Sequence, residues 1–250
     1  MKLSVVIPGH NEEPSIEATV RAFHDKLADE KIDHEIVVVN DNSTDNTEDI
    51  LKRLHKEIPQ VRYVNNTPPN GFGFAVRKGL ESFKGDCVAI VMADMSDRPV
   101  DLVKYYRAME KNNYDAVFGS RFVKGGKVVD YPRNKILLNR FTNGLIKVLF
   151  GIRYNDVTNA FKLYKRETIE GVRPLLSHHF NLTVELPLKA IVRGYSYTVI
   201  PNWWINRKDG ESNLKIKEMG SRYFYVILYC LIEKWLSRGD YQKGKPRANN

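Results

Sequence analysis

The first half of the chain alternates short apolar runs with segments of helical periodicity. Leu3–Ile7, Glu35–Val39, Val61–Val64, Asp86–Met92 and Asp115–Phe118 read as strands. Between them, Glu12–Ala28, Asn46–Glu57, Phe74–Phe83 and Pro99–Lys111 repeat apolar residues at helical spacing. Runs such as Val37-Val38-Val39 have no polar alternate, so both faces of the strand are covered. The class this predicts is α/β, with a mostly parallel sheet flanked by helices. The second half is less regular. Arg133–Phe150 reads as an amphipathic helix, with Leu137, Phe141, Leu145 and Val148 along one face and Lys135, Arg140 and Lys147 as its basic residues. A short strand at Phe161–Tyr164, a helix at Leu182–Val192 despite Pro187 and a strand at Tyr195–Ile200 follow. Pro201–Trp204 and Asn206–Asn213 form a polar loop, and Leu214–Leu236 one long helix. The pattern divides into an α/β unit over 1–213, an apolar amphipathic helix over 214–238 and a flexible basic tail over 239–250.

Open sheets of this kind bind ligands beyond the carboxyl ends of their strands. In this chain those ends are Pro8-Gly9-His10-Asn11-Glu12, Asn40-Asp41-Asn42-Ser43 and Ala93-Asp94-Met95-Ser96-Asp97. The third is the strongest signal. An apolar strand runs into two carboxylates three residues apart, Asp94 and Asp97. Hard cations such as Mg²⁺ take carboxylate oxygens together with ligand phosphates. Asp97 has a second reading, as the cap of the helix that starts near Pro99. Asp41 is placed to accept hydrogen bonds from a base or ribose, or to serve a polar turn.

Composition narrows the class. Hydrophobic residues are 42% and charged residues 28% of the 250, ordinary for a folded chain. A formal charge of +9 favours an anionic partner: nucleic acid, anionic lipid or a phosphorylated ligand. The basic residues are spread along the chain and no nucleic-acid motif is present, so no nucleic-acid partner is expected. Cys87 and Cys230 lie in apolar stretches, read as buried thiols, and offer neither a disulfide framework nor zinc spacing. The opening strand is too short for a signal peptide. The longest apolar run, Tyr223–Ile232, has ten residues, well short of the ~20 that span a bilayer. The first strand is not followed by Gly-x-Gly-x-x-Gly, which argues against a dinucleotide-binding dehydrogenase.

Taken in order, Pro8…Asn11-Glu12, Val39-Asn40-Asp41…Asp45, Ala93-Asp94 and Gly119-Ser120-Arg121 resemble glycosyltransferase family 2. Within it, the dolichol-phosphate mannosyltransferase group and related polyprenyl-phosphate glycosyltransferases are the most similar, over about Lys2 to Leu236. The resemblance implies the GT-A form of the α/β fold and a nucleotide-sugar donor. It implies nucleotide contacts at Pro8, His10, Asn11, Glu12, Asp41, Gly71 and Ala93, with Asp94 ending the family's Asp-x-Asp element. Arg121 matches an arginine that faces phosphate, Asp156–Phe161 the segment lining donor sugar and acceptor, and Arg207 with Gly210-Glu211-Ser212 a basic loop closing over the diphosphate. Asp94, Arg121 and Arg207 are then the catalytic set, and Asp94 with Asp97 the holders of Mg²⁺ or Mn²⁺. The chain departs from the pattern at Met92, where the first Asp of Asp-x-Asp falls, and at Asn40, where the family has a second Asp.

The acceptor follows from a carboxylate that is missing. Transfer to a hydroxyl needs a general base, whereas a phosphate is already ionised near neutral pH and needs cations. Asp156 is the only carboxylate in Tyr154–Lys165, so the expected acceptor is a lipid phosphate held by Arg121, Arg133, Arg140 and Arg207. The Arg133–Phe150 helix and the apolar Arg222–Leu236 stretch either pack on the sheet or lie on a membrane. Together they predict a peripheral enzyme at the cytoplasmic membrane face, with a separate anchoring subunit as a further possible partner. The rival readings are transfer to a sugar or protein hydroxyl with Asp156 as base, and a donor-binding protein without turnover.

Overall fold

The computed structural model describes residues 1–206, 216–237 and 239–244. Its first four strands are β1 (Leu3–Gly9), β2 (His34–Asn40), β3 (Val61–Asn65) and β4 (Cys87–Ile90). They alternate with helices α1 (Ile16–Asp29), α2 (Thr47–Glu57), α3 (Phe72–Ser82) and α4 (Pro99–Asn112). The order continues β5 (Ala116–Ser120), β6 (Lys127–Val129), α5 (Arg133–Phe150), β7 (Lys162–Lys165), α6 (Arg166–Gly171), α7 (Leu182–Val192), β8 (Tyr197–Pro201), β9 (Trp203–Ile205) and α8 (Ile216–Leu236). The main sheet runs β3-β2-β1-β4-β7-β5-β8. β7 is antiparallel to both neighbours, and every other pairing in the sheet is parallel. The mostly parallel α/β sheet is therefore present.

Every residue of β1 and β2 is buried, as runs without a polar alternate require. Alternate side chains feed two cores. Leu3, Val5, Ile7, Ile36 and Val38 pack with α1, α2 and α4 on one face. Val6, Val37 and Val39 pack with α3, α7 and α8 on the other. Gly79 belongs to the second layer, where a Cβ would sit 2.3 Å from Val6 Cγ1. α8 joins the same core through Val226, Ile227, Cys230 and Leu231, and a buried Arg193–Glu233 ion pair ties it to the end of α7. The start of the tail is held down as well. Lys243 donates its backbone N–H to Arg193 O (2.8 Å) and its ammonium to Asp115 (2.7 Å). Residues 245–250 lie outside the described residues.

Two short elements depart from the expected pattern. The polar loop expected at Pro201–Trp204 is instead the end of β8 at Pro201 and the start of β9 at Trp203, and β9 pairs in parallel with β6 as a separate two-stranded sheet. Strands of three residues are too short to show a period. The first helix begins at Ile16 rather than Glu12, because residues 11–15 are drawn into a loop: Asn11 N–H donates to Ser43 Oγ and Glu12 N–H to Thr47 Oγ1.

α5 has the bounds expected of it, but its apolar face does not pack on the sheet. Leu137 (74%), Leu138, Phe141 (70%), Leu145 and Val148 (78%) are all exposed. The inward face carries Asn143, Ile146 and Phe150, all buried. α8 repeats the arrangement, with Phe224, Tyr225, Leu228, Ile232, Trp235 and Leu236 exposed. The two helices are in contact. Among the described residues no helix is long and apolar enough to cross a membrane.

Candidate active site

The strand order places the ends of β2, β1 and β4 side by side, so the three polar loops form one rim. The β1 and β2 loops are laced together. His10 Nδ1–H donates to Asp41 O (2.7 Å), and Asn11 Oδ1 accepts Thr44 N–H (2.7 Å). Asn11 and Asn42 adopt left-handed backbone (φ 55° and 57°), which asparagine tolerates best among residues with a side chain. Asp41 is buried. Its two oxygens accept Gly71 N–H (2.7 Å) and Asn66 Nδ2–H (2.8 Å), tying this rim to the N-terminus of α3. The close approach behind that N-terminus requires glycine, since a Cβ on Gly73 would lie 2.3 Å from His178 C. Pro8 is buried in β1, and the Ala93 carbonyl is held by Thr19 Oγ1 (2.8 Å). The candidate residues Pro8, His10, Asn11, Glu12, Asp41, Gly71, Ala93 and Asp94 thus sit on one continuous rim.

The β4 loop separates Asp94 from Asp97. Asp94 is partly exposed and accepts Ser96 N–H on Oδ1 (3.1 Å). Met95 between them is in the left-handed region (φ 61°), uncommon for an unbranched side chain of its size. Asp97 is buried and accepts Met92 N–H (3.0 Å), so it closes the loop. It does not cap α4, whose N-cap is Arg98. Burial, together with the charge of Asp94, pushes the Asp97 carboxyl up to about 7 against the pull of the Met92 N–H. Ser96 Oγ is buried with no hydrogen-bond partner. The sequence signal for it is a hydroxyl two residues after the strand-end acid. Asp94 Oδ2 and Ser96 Oγ are hard oxygen donors and suit Mg²⁺ or Mn²⁺. Among the described residues no group of three or more His, Cys, Asp or Glu side chains could hold a metal, so a cation here would need the oxygens of a bound phosphate.

Across the rim, at the end of β5, Arg121 and Asp156 form a buried pair. Asp156 Oδ2 accepts Arg121 N–H (2.8 Å) and Nε–H (2.9 Å), and Oδ1 accepts Nη2–H (2.7 Å). Arg121 is 8% and Asp156 0% exposed. Burial alone would lower the guanidinium, but the Asp156 charge and hydrogen bonds outweigh it and hold Arg121 firmly protonated. The Phe122 ring stacks against Arg121 (5.4 Å) and against Arg140 on α5 (4.9 Å). Arg133 and Arg140 are exposed on α5. Arg207 lies outside the described residues. The turn that carries Asp156 is braced by the buried Lys162, whose ammonium donates to Val157 O (3.0 Å), Asn159 O and Thr183 O (3.1 Å). Asn159 Nδ2–H donates to Gly119 O (3.0 Å) and Asn202 Oδ1 (3.1 Å).

Residues 4–173 match the family described as glycosyl transferase family 2. The chain is 34% identical over 241 residues to a dolichol-phosphate mannosyltransferase of Pyrococcus furiosus, covering 94% of this chain and 64% of that protein. It is 26% identical to an undecaprenyl-phosphate mannosyltransferase of Micrococcus luteus, covering 94% and 96%. The chain thus spans just under two thirds of the length of the Pyrococcus relative. Among solved structures, glucosyl-3-phosphoglycerate synthase from Mycobacterium tuberculosis with UDP superposes with a TM-score of 0.69 at 18% identity, over 92% of this chain and 80% of that one. The same synthase has been solved with Mn²⁺ and UDP-glucose and with Mg²⁺ and UDP. At that identity the likeness shows the fold, a GT-A sheet.

Proposed function

The chain belongs to glycosyltransferase family 2, and from that membership and the geometry of the rim we propose that it moves a hexose from a nucleotide-sugar to a polyprenyl phosphate. The donor is of the GDP-mannose or UDP-glucose type. The observation that carries the acceptor class is the Asp156 carboxylate, fully buried and holding three N–H groups of Arg121. As a general base it would have to release a buried arginine, and a base must reach the proton it removes. A phosphate acceptor needs no base. The relatives named for lipid-phosphate transfer support the same reading.

In this reading the β1–β2 rim, with His10, Asn11, Glu12 and Asp41, holds the nucleoside, and Gly71 bounds its far side. Asp94 and Ser96 would hold the divalent cation, with Asp97 keeping their loop closed from behind. The cation, when bound, neutralises charge on the diphosphate as it leaves. Arg121, Arg133 and Arg140 orient the acceptor phosphate. An oxygen of the acceptor phosphate attacks the anomeric carbon. A new C–O bond forms there as the bond to the donor diphosphate breaks, and the nucleoside diphosphate departs with the electron pair. Attack from the opposite face inverts the anomeric configuration. The exposed apolar faces of α5 and α8, beside Arg133, Arg140 and Lys147, suit a peripheral seat on a membrane.

The test is turnover of GDP-mannose and UDP-glucose with polyprenyl phosphate, in Mg²⁺ or Mn²⁺ and in EDTA, for the wild type and Asp94→Asn. The expected result is a lipid-linked sugar of inverted configuration that disappears in EDTA and in the variant. Transfer only to a soluble sugar, or a product that retains the donor configuration, overturns the reading.

A further inference from the structure

α5 is attached to the protein in an unusual way. Its hydrophobic attachment lies at its C-terminal end, through Ile146 and Phe150, while the apolar side chains of its middle point outward. The inner face of that middle is polar. Asn139 Nδ2–H and Asn143 Nδ2–H both donate to Thr158 Oγ1 (2.8 and 2.9 Å), and Asn143 Oδ1 accepts Thr158 N–H (3.3 Å). Asn143 is 1% exposed and also donates to Asn139 O (2.9 Å). Hydrogen bonds fix distance and direction, and each adds only about 1 kcal/mol of net stability. This cluster therefore sets where α5 sits more than how tightly it is held.

Thr158 lies two residues after Asp156 in a tight turn closed by Asn159 N–H to Asp156 O (3.0 Å). The same turn grips Arg121 through Asp156 and Gly119 through Asn159, and Lys162 stiffens it from below. A displacement entering at Thr158 leaves at residues 119–121. We infer that Thr158, Asn139 and Asn143 are positioning residues that transmit the seating of α5 on a lipid surface to Arg121, so that the alignment of the acceptor-binding side of the site depends on how α5 is seated. The inference rests on the membrane reading above, and the experiment separates the two.

Hydrogen exchange of the full chain is measured with and without phosphatidylcholine–phosphatidylglycerol vesicles. Wild type gains protection in α5 and also in residues 117–123 and 155–162. Thr158→Val keeps the gain in α5 and loses the second. In parallel, Thr158→Val lowers kcat on vesicle-borne polyprenyl phosphate about 10-fold with little change in donor KM, the scale expected when a positioned group shifts by less than an ångström. Thr158→Ser, which restores the oxygen, recovers most of that loss. Equal protection of residues 117–123 and 155–162 in wild type and Thr158→Val overturns the coupling, as does a gain confined to α5 in the wild type. Absence of any gain in α5 overturns the membrane reading and the inference with it.

Discussion

Asp156 decides the residue-scale account, because a base and a buried counter-ion respond differently to losing a charge. Asp156→Asn leaves Arg121 buried without its partner, which costs about 3–5 kcal/mol. Denaturant melts are expected to show that loss together with the loss of activity. A variant that is inactive yet as stable as wild type would instead mark Asp156 as a base. Asp97 makes a second, pH-dependent prediction. Its carboxyl sits near 7 in the folded chain, and its ordinary value is near 4. Between these values the folded chain keeps a proton that the unfolded chain has lost. Stability therefore falls as pH rises through the window, by up to roughly 1.4 kcal/mol per pH unit, and levels off above about 7. In EDTA-treated protein the wild type should lose stability relative to Asp97→Asn between about pH 4 and about pH 7. Parallel curves would return Asp97 to its ordinary range. Asp94 was legible in the sequence because a strand end announces itself. The commitment of Arg121 to Asp156 was not, because 35 residues separate them and only the turn before β7 brings them together.

At the scale of elements, α5 and the core strands were readable from periodicity alone. The direction in which α5 faces was not, because an amphipathic pattern does not say whether the apolar side meets a sheet or a lipid. β6 and β9 escaped for want of length. The outward face gives a direct prediction. Leu137→Glu and Phe141→Glu alter side chains that are 74% and 70% exposed, so melting should barely change. Burying a large apolar side chain contributes about 1.5–3 kcal/mol, so each change should weaken sedimentation with anionic vesicles by about 10-fold or more. Unchanged vesicle binding, or a large drop in melting temperature, would show that this face packs against protein.

For the whole molecule, the β1–β2–β4 rim and the Asp156–Asn159 turn share one edge because β7 runs against its neighbours. A strand entering the sheet in the reverse sense starts at the edge where β1, β2 and β4 end, which delivers Asp156–Asn159 to the same side as Asp94. The alternation in the sequence predicted a mostly parallel sheet, yet nothing in Lys162–Lys165 betrays its reversed sense. That reversal also has a cost in time. β4 finds β1 already synthesised on one side, but its other edge is filled only by Leu163 and its neighbours, some 75 residues later. At a synthesis rate of about 5–20 residues per second, the Cys87–Ile90 edge waits roughly 4–15 s for its partner. An unpaired apolar edge is an aggregation hazard for as long as it lasts. Chains truncated before Lys162 should therefore be recovered as aggregate, and during translation a holdase chaperone should cross-link to nascent chains that have passed Ile90 and release once Lys165 has cleared the ribosome.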